Sequence, residues 1–368
     1  MANEQRIEHV DPNMIVDPKI KEPDVQFYDV REEPFKVYGL YNYREEPDFK
    51  RMPDDVAKSV NDGVAYLYLQ TAGGRVRFST DSQYVGIRAI MPYVSYYDHM
   101  PMTGSSAFDL YVDEPETGIS RFHRSFRPDF GIKTGYEALN RFPDRKLRHF
   151  TIHFPTYSNV RSLQIALQKD ATLGEGMKYL DVPPIVYYGS SITQGGCASR
   201  PGNTYQSVLS QRLNIDHINL GFSGNGKGED SMVDYMASLK MSAFVSDYDH
   251  NAPNVEHLRN THCKMYQKIR AAHPDIPYIM LSRPDFDSAF GNYDDNILRR
   301  NVIYDTYRYA RQTGDKNVYF IDGESIFRGK YSNMCTVDGS HPTDLGFALM
   351  ADTIEAELRR ALTQHLFD

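Results

Sequence analysis

From about Asp62 to Gln168 apolar and polar residues alternate over short runs, the pattern of strands with one face buried. In Arg148-His149-Phe150-Thr151-Ile152-His153-Phe154 a period of two puts Phe150, Ile152 and Phe154 on one face. His149, Thr151 and His153 then take the other, solvated or interdomain, face. Leu163, Ile165 and Leu167 repeat the arrangement, as do Val85, Ile87 and Ala89. Turn-forming residues separate these runs at Asn61-Asp62-Gly63, Ala72-Gly73-Gly74 and Arg141-Phe142-Pro143-Asp144, so the expected assembly is a small antiparallel, jelly-roll-like β-sandwich. Residues 1 to about 60 read as an extended lead-in with a few strands.

After about Gly174 the rhythm changes to short apolar strands separated by longer helical stretches. The candidate strands are Ile185–Tyr188, His217–Leu220, Ala243–Val245, Tyr278–Leu281 and Val318–Ile321. Between them, 254–272 carries Val255, Leu258, His262, Met265, Ile269 and Ala272 at the three-four spacing of one buried helix face, with His262 as a packed core residue. A last helix is expected from Pro342, with Phe347, Ala351, Ile354, Leu358 and Leu362 along one side. Strand and helix in alternation imply a parallel five-stranded sheet with helices on both faces, a three-layer α/β unit whose chemistry gathers at the carboxyl ends of the strands. The expected domains are therefore 1–175, all-β, and 176–368, α/β.

The chain has 368 residues, 40% of them hydrophobic and 24% charged, enough for two real cores. No run of about 20 apolar residues could span a bilayer. A formal charge of -8 with scattered basic residues offers no continuous positive surface, which argues against a nucleic-acid partner. Cys197, Cys263 and Cys335 fit neither a disulfide framework nor a zinc spacing and read as free thiols. No signal peptide precedes residue 1, yet Met1-Ala2-Asn3 is compatible with a start added to an exported mature sequence; the expected location is the bacterial periplasm or exterior, with the cytoplasm left open. Tyrosine is abundant at 27 residues while tryptophan is absent, a bias that fits β-rich packing and sugar-facing surfaces.

Two segments carry candidate chemistry. Gly189-Ser190-Ser191 follows the first α/β strand, where a turn can hold a serine hydroxyl out of the sheet and place N–H groups near a forming oxyanion. A helix N-cap is the plainer alternative for such a serine. In Asp338-Gly339-Ser340-His341 a tight turn can fold the carboxylate onto one imidazole nitrogen, leaving the other to take a serine proton.

With what lies between them, these segments resemble the SGNH hydrolase superfamily, which includes GDSL lipases and carbohydrate acetylesterases. The resemblance covers roughly residues 180 to 362. Gly189-Ser190-Ser191 is similar to the family's Gly-Asp-Ser block with Ser190 in place of Asp, which implies Ser191 as nucleophile. Asn219-Leu220-Gly221-Phe222-Ser223-Gly224 fits the second block and implies Gly224 as an oxyanion donor beside the N–H of Ser191. The third block, Gly-x-Asn-Asp, is represented in Asp247-Tyr248-Asp249-His250-Asn251-Ala252 by its Asn alone, which implies Asn251 as the third donor. Asp338 and His341 match the last block, Asp-x-x-His, and so imply a Ser-His-Asp triad on a flavodoxin-like SGNH domain. Ala107-Phe108-Asp109-Leu110-Tyr111 resembles the Gly-x-Asp-Leu-Tyr signature of a β-domain that precedes some SGNH hydrolases, with Ala107 departing from the Gly.

The expectation is a serine esterase that removes small acyl groups, acetyl above all, from a small-molecule or oligosaccharide ester. His250 and Arg283 stand at strand ends as candidate substrate contacts, although a loop-structuring role and a loop salt bridge suit them equally. Polar connections such as Gly226-Lys227-Gly228-Glu229-Asp230 and Asp285-Phe286-Asp287-Ser288 favour hydroxylated substrates over a lipid. A lipase or thioesterase on the same scaffold, or a non-catalytic carbohydrate-binding protein, are the alternatives. No clustered ligand set or phosphate loop appears, so no metal or nucleotide cofactor is implied, and the oligomeric state is left open.

Overall fold

The computed structural model of the chain describes residues 19–285 and 293–366. Met1-Ala2-Asn3 and Phe286-Asp287-Ser288, invoked above, lie outside the described residues. Two compact units are present: the described residues up to Arg51 with Leu69–Lys178, and Met52–Tyr68 with Tyr179 onward. A single boundary near residue 175 does not reproduce this division, because 52–68 fold with the C-terminal unit.

The strands of the first unit are β1 (Val25–Asp29), β2 (Lys36–Tyr38), β3 (Arg75–Thr80), β4 (Tyr84–Ile90), β5 (Phe108–Glu114), β6 (Ile119–Phe126), β7 (Gly135–Arg141), β8 (Arg148–His153), β9 (Ser162–Gln168) and β10 (Leu173–Gly174). They form two antiparallel sheets, β1-β9-β4-β7 and β10-β3-β8-β5-β6, with β2 added on β3. The inner faces share one apolar core, making a β-sandwich. Register puts Phe150 opposite Phe78 and Ile152 opposite Leu110, and all four are buried, as the alternation requires.

The outer face of β8 is not simply solvated. Thr151 donates to Asp113 Oδ2 at 2.7 Å and accepts from Arg77 Nε at 3.0 Å, while His153 meets the Tyr111 ring edge-on at 5.1 Å. His153 is only 2% exposed, so this position is a second packed layer; His149 remains half-buried.

Between β2 and β3 the chain forms α1 (Asp54–Val60) and α2 (Asp62–Leu67), where a turn was expected at Asn61-Asp62-Gly63. Asn61 caps α2 by accepting from the Val64 N–H at 2.9 Å, the same side-chain chemistry that makes asparagine a turn former. A one-turn helix, α3 (Met102–Ser105), precedes β5.

In the second unit β11 (Ile185–Gly189), β12 (His217–Gly221), β13 (Ala243–Asp247), β14 (Tyr278–Leu281) and β15 (Val318–Ile321) form one parallel sheet in the order β12-β11-β13-β14-β15. This is the flavodoxin-like order, and its switch point falls between β11 and β13. The helices are α4 (Ser191–Gln194), α5 (Tyr205–Leu213), α6 (Asp230–Ser238), α7 (Val255–Ala272), α8 (Tyr293–Gln312) and α9 (Asp344–Leu366). α5 and α9 cover the face that carries Ile185, Tyr187, Val245 and Ile279. On the opposite face Tyr266 of α7 packs on Tyr278, and α6, α7 and α8 lie side by side. His262 is buried in this layer, 2.9 Å from the Thr306 hydroxyl, and burial lowers its pKa to about 4.

The five strands occur where the apolar runs place them. α9 begins two residues later than Pro342, because Pro342 pairs with Thr336 in an isolated bridge and the Thr343 hydroxyl accepts from the Gly346 N–H. Among the described residues no helix is long and apolar enough to cross a membrane.

The sandwich core predicts a direct test. Phe150 lies 5.4 Å from both Phe78 and Phe142, ring to ring, so Phe150→Ala is expected to cost about 3–5 kcal/mol in denaturant unfolding. The exposed Ile119→Ala should stay within about 0.5 kcal/mol of wild type.

Candidate active site

β11 ends at Gly189, and the chain turns at once into α4. Ser190 is the N-cap of α4, fully buried, its Oγ accepting from the Ile192 N–H at 3.1 Å. The capping role thus falls to Ser190 and leaves the Ser191 hydroxyl at the first helical position, half-buried and 2.9 Å from His341 Nε2. The other ring nitrogen of His341, Nδ1, is 2.7 Å from Asp338 Oδ2. Asp338 Oδ1 accepts the N–H groups of Ser340 and His341 at 3.0 and 2.8 Å, and Val337 N–H donates to the His341 carbonyl at 2.8 Å, closing a small turn. Burial opposes the Asp338 carboxylate, yet the ring and these two N–H groups hold it below the usual carboxylate range. An ionised Asp338 accepts from Nδ1–H, the tautomer in which Nε2 is free to accept the serine proton.

The loop after β12 holds Gly224 in the left-handed region, at φ +69°, with open space where a side chain would lie. Among the described residues its N–H forms no hydrogen bond within the chain. Asn251 ends the short turn after β13, and its Nδ2 donates to the Phe222 carbonyl at 2.9 Å, leaving the second amide hydrogen available. A side chain at Gly226 would strike the Gly189 carbonyl, so a glycine is required where this loop passes the end of β11. The α1–α2 pair braces the same loop: Asn61 Nδ2 donates to the Asn225 carbonyl at 3.2 Å and to Glu229 at 2.6 Å, and Gly63 packs on Asn225.

Under α4 lies a residue that sequence reasoning passed over. Asp247, the last residue of β13 and fully buried, accepts from the Thr193 hydroxyl and, at 3.1 Å, from Tyr205. Burial pushes its carboxyl up to about 7 despite these donors. A side chain at Gly189 would overlap the Asp247 carboxylate, so the glycine permits this approach. Gln206 and Asn219 both donate to the Thr193 carbonyl at 2.7 Å, completing a fixed frame around the helix that carries Ser191. Cys197, in no disulfide and in the left-handed region at φ +68°, has its Sγ within 4.8 Å of a ring nitrogen of His341. Burial, and then the Asp338 charge, push that thiol up to about 12, so it is neutral at physiological pH.

His250 and Arg283 belong to a buried ion network. His250 Nε2 is 2.7 Å from Asp285 Oδ1, and Arg283 Nε donates to the same oxygen at 2.9 Å. The Arg283 backbone N–H donates to Asp249 Oδ2 at 3.0 Å, and Arg299 donates to the carbonyls of Asp249 and Ala252 at 2.7 and 2.8 Å. Burial disfavours charge on His250, but attraction to Asp285 outweighs it and raises the pKa to about 9. Against the same cost of burial, His250 and Arg283 hold Asp249 and Asp285 below the usual carboxylate range. The network fixes the turn that presents Asn251; it does not leave His250 or Arg283 with bare charges.

A hydroxyl, imidazole and carboxylate joined in line at the carboxyl end of a flavodoxin-like sheet are an arrangement that serine hydrolases use. Comparison with known proteins narrows the class. Residues 183–359 match the GDSL-like Lipase/Acylhydrolase family, and residues 25–173 match GxDLY, the N-terminus of Esterase_SGNH_hydro-type proteins. Among solved structures, a protein described as a GDSL-like lipase from Bacteroides ovatus ATCC 8483 is 25% identical with a TM-score of 0.81, covering 93% of this chain and 98% of that one. The salicylyl-acyltransferase SsfX3 from a tetracycline biosynthetic pathway is 18% identical with a TM-score of 0.73, covering 92% and 98%. A family two carbohydrate esterase from Clostridium thermocellum, solved with cellohexaose, is 14% identical with a TM-score of 0.63, covering 89% and 99%. A search of curated protein sequences finds no significant match. The chain belongs to the SGNH, GDSL-like hydrolases with an N-terminal domain of the GxDLY type, and it is a carboxylic ester hydrolase.

The ion network carries a pH signature. Because the folded pKa of His250 lies above its ordinary 6.5, its stabilisation is complete below 6.5 and is lost as pH rises through about 9. The gap in urea midpoint between wild type and His250→Asn is therefore expected to be widest near pH 6 and to narrow towards pH 9.5. A gap that does not change with pH would show that the ring is neutral in the folded protein.

Proposed function

We propose that this enzyme removes acetyl groups from a carbohydrate ester through an acyl-enzyme on Ser191. The observation that carries the reading is the Ser191–His341–Asp338 line, 2.9 and 2.7 Å between successive partners. Ser191 Oγ attacks the ester carbonyl as Nε2 of His341 takes its proton, and Asp338 holds Nδ1–H and stabilises the imidazolium. The oxyanion is received by the N–H groups of Ser191 and Gly224 and by the Asn251 amide. His341 then passes its proton to the departing alkoxide, and water repeats the sequence on the acyl-enzyme.

The carbohydrate part of the reading is supported by two observations: polar connections where a long acyl chain would need an apolar groove, and a shared fold. The connections beside the site are polar: in 226–230 the Lys227 carbonyl meets His257 at 2.8 Å and the Gly228 N–H donates to the Tyr188 hydroxyl at 2.8 Å. A long acyl chain needs a continuous apolar groove, since each buried methylene contributes about 0.8 kcal/mol. The family two carbohydrate esterase named above shares the fold over 89% of this chain. A sugar ester as substrate also fits an enzyme of the periplasm or the cell exterior.

Turnover on aryl acetate tests the roles. Ser191→Ala is expected to lose about 10³-fold or more and Asn251→Ala about 10²–10³-fold in kcat, while Ser190→Ala keeps measurable activity. An organophosphonate adduct mapped to Ser190 would overturn the assignment. Aryl acetate should be cleaved more efficiently than aryl octanoate, with acetate released from acetylated oligosaccharides. Preference for octanoate with no acetate released from any sugar would make the enzyme a lipase.

A further inference from the structure

The first unit contains a cavity of about 410 Å³ that none of the residues assigned above lines. Its volume is that of a site for a small ligand. It opens on the outer face of the sheet that contains β2 and β3, where Lys36 and Arg77 are directly paired and so project to the same side. The tyrosines Tyr38 and Tyr43 form part of the wall, each with a cation over its ring, Lys36 at 5.2 Å on Tyr38 and Arg44 at 5.4 Å on Tyr43, so a sugar would meet aromatic edges and the faces away from these cations.

The charges are unevenly placed. At the rim, Arg44 pairs with Glu33, and Lys178 with Glu175 at 2.8 Å. The Arg77 guanidinium, only 2% exposed, donates to the Met177 carbonyl at 3.1 Å and so ties down the segment that closes the cavity. Lys36 differs from all of these. Its exposed ammonium stands 5.2 Å over the Tyr38 ring and makes no direct ion pair among the described residues, although Glu175, whose carboxyl Lys178 holds below the usual range, also feels its charge. Four cationic side chains face two carboxylates around this cavity, so one added negative charge reduces the imbalance, while Glu33 and Glu175 offer acceptors for hydroxyl groups.

We propose that this cavity is a non-catalytic binding site for a carboxylated saccharide, a uronic-acid unit of an oligosaccharide, with its carboxylate on Lys36 and its ring against Tyr38 and Tyr43. The site would hold an acidic glycan on the sandwich independently of the ester chemistry at Ser191. Its existence does not rest on the acetyl specificity proposed above.

Calorimetric titration of the full chain, carrying Ser191→Ala so that no ester is turned over, tests this with trigalacturonate and with xylotriose as the neutral comparison. The expected result is saturable binding of trigalacturonate that weakens with added salt, and at least about tenfold weaker binding of xylotriose. Lys36→Met is expected to weaken trigalacturonate binding about 10- to 100-fold, the worth of one charge-assisted hydrogen bond, and Lys36→Arg to restore most of it. Tyr38→Ala should weaken both sugars. Circular dichroism and the unfolding midpoint establish that each variant is folded. Undiminished binding to folded Lys36→Met, or no binding of trigalacturonate by the parent chain, would overturn the proposal. Acetate release from acetylated sugars is measured separately on the unsubstituted chain, so failure of that activity would leave the binding result intact.

Discussion

The Asp247 carboxylate sits against the bare backbone of Gly189, and the geometry of the second unit is organised around that approach. β11 and β13 are adjacent strands, and their last residues are paired in register. A buried carboxyl there is costly unless satisfied, and the hydroxyls of Thr193 and Tyr205 satisfy it. Because Thr193 belongs to α4, the same bond clamps the helix to the strand it leaves. The backbone of Ser191 is then held at the start of one helical turn, with its hydroxyl 2.9 Å from His341 Nε2. A side chain at Gly189 would push the carboxylate out, and the clamp with it.

Most of the α/β architecture can be read from the sequence because its strands are short continuous apolar runs, which only a sheet covered on both faces tolerates. The serine and the Asp-x-x-His turn are equally visible, since each stands where a strand or helix must end. Other features are hidden for identifiable reasons. Asp247 looks like a solvated residue beyond a strand, because nothing local reveals that Gly189 lies beside it. α1 and α2 are masked because Asn61 and Gly63 serve a helix start as well as a turn. The positive φ of Cys197, and its place beside His341, depend on chain reversals that no local pattern encodes. In the sandwich, alternation correctly separates Phe150 and Ile152 from their neighbours, yet it cannot tell that the opposite face is covered by a polar layer with Thr151 and Asp113 at its centre.

His250 and Arg283 illustrate a different limit. Charged side chains at the ends of parallel strands are natural candidates for ligand contact, and strand ends are where both stand. Here two carboxylates and two cations close on one another, so the charges are spent on shaping the turn before Asn251. Such a network gives little net stability relative to an apolar core of the same shape, but losing any one member leaves an opposing charge buried. Its contribution is rigidity: the ions hold Asp249 and Ala252 on either side of Asn251, whose amide is itself fixed by the Phe222 carbonyl.

The path of the backbone also bears on how such an enzyme can be inherited and rearranged. The chain passes between its two units at 51–52, 68–69 and 178–179, lending a helical hairpin to the catalytic half before returning to finish the sandwich. Asn61 and Gly63 of that hairpin support the loop bearing Gly224. The two halves are therefore not beads on a string. A gene fragment starting at Tyr179 would encode Ser191, His341 and all five parallel strands, yet lack the brace on the loop that carries Gly224. Exchanging the sandwich for another module at a single joint would carry the same defect, because the hairpin 52–68 is encoded within the stretch that encodes the sandwich.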